Sequence, residues 1–107
     1  MSEYIDGYTK TGIIPLEPVP EQEFGIDLSG ESYTLFIYQR DKTVYADLVK
    51  DDAPVFLGSK ALDRVGLKAS GYLPLPGQLW FEDQAGTDNP EYEEFGSRFI
   101  LYYGEKI

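Results

Sequence analysis

Apolar and polar positions alternate with a period of two along much of this chain, and no apolar 3.6-residue period lasts three turns. Tyr33-Thr34-Leu35-Phe36-Ile37-Tyr38 is a β-branched and aromatic run, apolar on both faces, which predicts a strand covered on both sides. The polar stretch Gln39-Arg40-Asp41-Lys42 reads as a turn, and Thr43 to Val49 then alternates with Val44, Ala46 and Leu48 on one face, predicting a hairpin. Lys50-Asp51-Asp52-Ala53-Pro54 is a second turn, followed by a short strand at Val55-Phe56-Leu57. Upstream, Phe24, Ile26 and Leu28 alternate with Gly25, Asp27 and Ser29 before a corner at Gly30-Glu31. Pro76-Gly77 introduces Leu79-Trp80-Phe81-Glu82, and Ser97 to Tyr103 forms a final strand ended by Gly104. The nearest helical candidate, Ser59 to Leu67, is bracketed by Gly58 and Gly66 too closely for more than a turn or two.

About six to eight short strands at this spacing predict an all-β fold, a single small barrel or sandwich, mainly antiparallel. The first twenty residues break the pattern. Proline at 15, 18 and 20 fixes φ and removes N–H donors, so Ile13 to Pro20 is expected to be an extended arm and not a central strand. Its apolar residues need a cover, either the domain's own sheet edge or a neighbour. Residues Met1 to Gly12 are polar, contain two glycines and are expected to be mobile. The expected division is therefore a flexible N-terminus and arm over residues 1–21 and a β-domain over 22–107.

Composition narrows the chemistry. The chain has 107 residues, no Cys, no His and a formal charge of −10. That excludes disulfides, thiolate metal sites and any catalytic triad built on imidazole. The acids are spread along the whole sequence, so the surface repels phosphate backbones and anionic lipid, and direct nucleic-acid binding is not expected. Neither a basic, apolar signal nor a run approaching the ~20 apolar residues of a membrane span is visible. Nine Tyr, six Phe and one Trp suit half-buried strand faces and interfaces alike.

Candidate sites are few. Asp51-Asp52 suits a tight turn, and neither Glu82-Asp83 nor Glu93-Glu94 can form a facing carboxylate pair, because adjacent strand residues point to opposite faces. Asp83-Gln84-Ala85-Gly86-Thr87-Asp88-Asn89 is a Gly-containing acidic loop with oxygen ligands, but it lacks the alternating spacing of a calcium loop. No phosphate-binding glycine loop occurs, and no cofactor is called for. Trp80 and the tyrosines leave open a carbohydrate-binding surface.

The order of particular residues is more specific than any single motif. It runs Ile14-Pro15-Leu16 with Pro18, Pro20, Gln22 and Phe24, then Leu28, Gly30, Tyr33 and Leu35. Tyr45-Ala46-Asp47-Leu48, Leu57-Gly58, Leu62, Tyr72-Leu73 and Gly77-Gln78-Leu79 follow. Asn89-Pro90, Phe95-Gly96, Arg98 and Leu101-Tyr102-Tyr103 complete it. In this order the chain resembles the small baseplate plug proteins of contractile-tailed bacteriophages, over about residues 13 to 103. It departs from them at Tyr45, where the family often has Trp, and at Pro76-Gly77, where it often has a Gly pair.

The resemblance implies a non-enzymatic structural virion protein at the three-fold centre of a tail baseplate. There it would close the tail tube and contact hub, spike, tube and tape-measure proteins, after assembly in the host cytoplasm. A homotrimer is the expected state. The expected contact residues are Ile13, Ile14, Pro15, Leu16, Pro18 and Val19 of the arm, with Phe99, Leu101 and Tyr103 on one face of the last strand. Core packing is the competing expectation for each. The alternative reading is a carbohydrate- or protein-binding β-module without a phage role.

Overall fold

The computed structural model describes residues 4–5, 7–68 and 75–107. Two four-stranded antiparallel sheets stack as a sandwich. The first has the order β1 (Tyr4–Ile5), β2 (Tyr8–Ile14), β8 (Phe99–Lys106), β7 (Gly77–Asp83). The second runs in sequence order, β3 (Glu21–Leu28), β4 (Glu31–Arg40), β5 (Thr43–Lys50), β6 (Ala53–Lys60). The sheets do not close into a barrel, so the sandwich is the realised member of the predicted pair of folds.

Three two-residue turns fold the second sheet into a meander, and each has the backbone that right-handed strand twist demands. Ser29 (φ 52) and Gly30 (φ 84) are both left-handed, as are Asp51 (φ 51) and Asp52 (φ 64), the requirement of a type I′ turn. Asp41 (φ 56) makes the third corner, between Arg40 and Thr43. Asp tolerates this region because its short side chain can bond the local backbone. The turns at 41–42 and 51–52 are tighter than the sequence suggested, so β4 and β6 take in residues expected to be loop.

The core lies between the sheets. Leu28, Tyr33, Leu35, Ile37, Val44, Ala46 and Leu48 meet Ile14, Leu79, Phe81, Phe99, Leu101 and Tyr103, with Phe95 stacked on Phe81 at 5.6 Å. Each large apolar side chain buried here contributes roughly 1.5–3 kcal/mol, enough in sum to hold a domain of this size without a disulfide. β6 enters the same core through a double irregularity. Two extra residues opposite Ala46–Val49 turn Val55 and Phe56 both inward, and Gly58 (φ 61) sits at the second bulge.

The largest departure from expectation is at the N-terminus. Residues 8–14 pair with β8 from Tyr8↔Lys106 to Ile14↔Leu101, so they form a strand inside the first sheet. The part of the expected mobile segment at residues 1–3 and 6 lies outside the described residues, as do Tyr72 and Leu73. The last strand does not stop at Gly104 but continues to Lys106, because Gly104 lets Thr9 and Trp80 approach where a Cβ would collide. Residues 61–68 form no helix. They run beside β7, with Arg64 N–H donating to Phe81 O (2.7 Å) and Leu67 N–H to Leu79 O (2.8 Å). A single 3-10 turn at Tyr92–Glu94 is the helical element among the described residues.

Candidate interaction surfaces

The chain leaves β2 at Ile14 and crosses to the second sheet through the proline segment. Alternation decides what it exposes: Ile14 is in the core, whereas Ile13 stands 61% exposed on the outer face of the first sheet. Leu16 packs against the core edge; Pro15, Pro18 and Val19 face solvent. The segment is fixed at both ends. The Gln22 amide donates to Glu17 O (2.8 Å) and accepts from Glu17 N–H (3.1 Å), and Gln39 N–H donates to Pro20 O (2.9 Å). Ile13, Ile14, Pro15, Leu16, Gly96, Ile100 and Leu101 line a mainly apolar cleft of about 330 Å³.

Phe99, Leu101 and Tyr103 share one face, as their spacing predicts, and that face is the core. All three are 5% exposed or less. Tyr103 reaches through the sandwich end so that its hydroxyl lies 2.8 Å from Ser29 Oγ in the turn of the other sheet. Of the residues expected to make contacts, Ile13, Pro15, Pro18 and Val19 are available at the surface; Ile14, Leu16, Phe99, Leu101 and Tyr103 carry the fold.

The acidic loop is organised around a side chain that sequence reading did not connect with it. Arg98 places Nε on Asp83 Oδ1 and Nη2 on Oδ2, each at 2.8 Å, and also reaches Asp88 Oδ2 at 2.7 Å. The backbone N–H groups of Ala85 (2.9 Å) and Asp88 (2.8 Å) complete four donors on the Asp83 carboxylate. Arg98's hydrogen bonds hold this carboxyl well below the ordinary carboxylate range, outweighing the opposing effect of burial. A guanidinium thus occupies the centre of the acidic loop, and no cluster of potential metal ligands occurs among the described residues.

Among the described residues the other acids do not converge either. Glu82 turns to the opposite face from Asp83. There it bonds the Trp80 indole (Nε1–Oε2 2.8 Å) and pairs with Lys10 (3.0 Å), whose ammonium also lies 4.1 Å from the Tyr102 ring centroid. Trp80 is fully buried and offers no exposed stacking platform.

The outer face of the second sheet is different in character. Phe36, Tyr38 and Tyr45 form a half-buried aromatic strip, with Tyr38 and Tyr45 stacked at 5.9 Å. The Tyr38 hydroxyl donates to Asp47 Oδ1 (2.9 Å), which also accepts from Gly58 N–H (2.6 Å) and so locks the β6 bulge. Burial, and then this bond to Asp47, raise the Tyr38 hydroxyl above the usual phenol range. Glu21, Gln22, Glu23, Phe36, Ile37, Tyr38, Arg40 and Asp47 line an open groove of about 600 Å³ over this strip.

Neither surface gathers a nucleophile, a base and an oxyanion site; both have the form of docking surfaces. Residues 11–106 of the chain match a family described as "Cyanophage baseplate Pam3 plug gp18". No curated protein matches the chain.

Proposed function

Since this chain belongs to the cyanophage baseplate plug family, a phage baseplate role follows, and we propose that it closes the tail tube by binding hub, spike and tape-measure neighbours. The observation that carries this reading is the extent of the match, 11–106, which takes in the whole second sheet, β7, β8, the latter part of β2 and the proline segment between the sheets.

Three features support the finer reading. The charge of −10 gives a surface past which DNA can slide, since like charges repel. The exposed group Ile13, Pro15, Pro18 and Val19 offers an apolar patch for a neighbouring subunit beside the cleft at Gly96 and Ile100. A sandwich whose core is complete within one chain can assemble without refolding, as suits a homotrimer formed from ready-made parts. The mechanism is mechanical and not catalytic: intersubunit contacts hold the tube shut, and triggering releases them.

Cross-linking and mass spectrometry of purified tails test this directly. Cross-links from the chain to tube and hub proteins are expected, and particles lacking it should leak their genome. Intact tails that contain no copy of the chain would overturn the proposal.

A further inference from the structure

The sandwich treats its edges unequally. β7 is covered by residues 63–67, which donate two backbone hydrogen bonds to it. β6 is blunted by Pro54 and by its bulges. β3 has neither protection. It pairs with β4 in unbroken register from Glu21↔Tyr38 to Leu28↔Glu31, and among the described residues its other side meets no strand.

The register identifies the backbone groups this edge presents. Gln39 N–H bonds Pro20 O, and in an antiparallel ladder hydrogen-bonded pairs alternate. Gln22, Phe24, Ile26 and Leu28 therefore turn their N–H and C=O groups toward β4. Glu21, Glu23, Gly25 and Asp27 turn theirs outward. The same four residues are the exposed ones of β3, and three are acids on the outer face of the sheet. Glu21 pairs with Arg40 at 2.9 Å, and Asp27 accepts a hydrogen bond from Ser32; among the described residues no cation pairs with Glu23 or Asp27.

We propose that the β3 edge receives an extended cationic segment of a partner protein as an additional strand. The four outward N–H and C=O pairs supply the ladder, and the charge supplies the selectivity. Residues of the added strand opposite Glu21, Glu23 and Asp27 would be Lys or Arg, because directly opposed unlike charges stabilise a pair and like charges oppose it. The residue opposite Gly25 would be large, filling the gap left by the absent side chain. The segment therefore carries cationic side chains on alternate positions, interrupted once by a bulky residue. This inference is independent of the baseplate reading, since it uses only the edge and its charge. The contrary role for these acids is to keep other strands away.

The probe is an acetylated, amidated nonapeptide of alternating Lys and Val with one Tyr placed opposite Gly25, compared with the same peptide carrying Glu for Lys. It is titrated against the ¹⁵N-labelled full chain. Shifts confined to residues 21–28 and their β4 partners, with slowed amide exchange at Glu21, Glu23, Gly25 and Asp27, are expected for the Lys peptide alone. Gly25→Pro removes an outward N–H without touching the β4 ladder and should weaken binding about tenfold at unchanged thermal midpoint. Glu23→Lys changes only an exposed side chain and should weaken it by a similar factor. Absence of binding, shifts spread over the acidic surface, or equal affinity of Gly25→Pro and Glu23→Lys with the parent would overturn the proposal.

Discussion

Arg98 grips both carboxylate oxygens of Asp83 across the loop that joins β7 to β8, so the end of one strand is clamped to the start of the next. Asp83 is buried at 1% exposure, whereas Arg98 is partly open to solvent. Removing the arginine leaves a buried anion with only two backbone donors. Arg98→Met should lower the urea midpoint markedly, and Asp83→Asn should lower it less, since the amide keeps part of the bonding. In the double-mutant cycle the two losses should add to more than the double variant shows.

The same pair sets an acid limb. Asp83 is depressed in the folded state, so its contribution is fully present above the ordinary Asp value and is lost as pH falls toward the folded value. Unfolding in urea from pH 7 down to 3 should show stability falling below about pH 4, and Asp83→Asn should flatten that limb. An unchanged acid limb in the variant would assign it to other carboxylates.

How much of this was legible in the sequence depended on distance along the chain. The β4–β5–β6 meander is written in local alternation and turn residues. The Asp83 loop was visible as an acidic turn, but its cation lies fifteen residues downstream, and nothing local links Arg98 to it. β2 was missed for a definable reason. A bulge at Thr11 inserts one residue between Lys10↔Gly104 and Gly12↔Tyr103, so Lys10 and Ile13 share a face despite opposite parity. The alternation that identifies strands is broken where the strand is bulged. For Phe99, Leu101 and Tyr103 the spacing identified a common face, but periodicity does not say whether a face meets the core or a partner.

Gly77 and Gly104 each stand at a close approach of the first sheet that leaves no room for a side chain. A Cβ on Gly77 would strike Gly104 O and the Tyr103 ring, and one on Gly104 would strike Thr9 O and the Trp80 ring. Neither neighbour is a flexible tip, so the backbone must shift. Gly104→Ala and Gly77→Ala should each cost about 1–3 kcal/mol in urea unfolding, against little for Gly12→Ala, where the space is open.

Alkaline pH should destabilise the fold through tyrosines. Burial raises the hydroxyls of Tyr33, Tyr38 and Tyr103 above the usual 10.0. Raised folded values mean the native state keeps protons that the unfolded state releases, so the stability they contribute is whole below about pH 10 and lost above it. Tyrosinate absorbance at 295 nm should show a late-titrating fraction that appears together with loss of the circular dichroism signal.

Ile13 and Ile14 separate assembly from folding within one dipeptide. Ile14 is in the core opposite Leu101, and Ile14→Asp would bury an unpaired charge, so that variant should not fold. Ile13 lies on the outer face opposite Tyr102, beside the cleft at Gly96 and Ile100, and Ile13→Asp alters no core contact. Its thermal midpoint should stay within a degree or two of the parent, roughly the effect of an exposed substitution on a domain this size. If the patch seats a neighbouring subunit, light scattering over a wide concentration range should find the parent self-associating and Ile13→Asp monomeric. The same substitution should exclude the chain from reconstituted baseplates. A folded Ile13→Asp that assembles as the parent does would move the interface away from the proline segment, leaving the outer face of the second sheet to carry it.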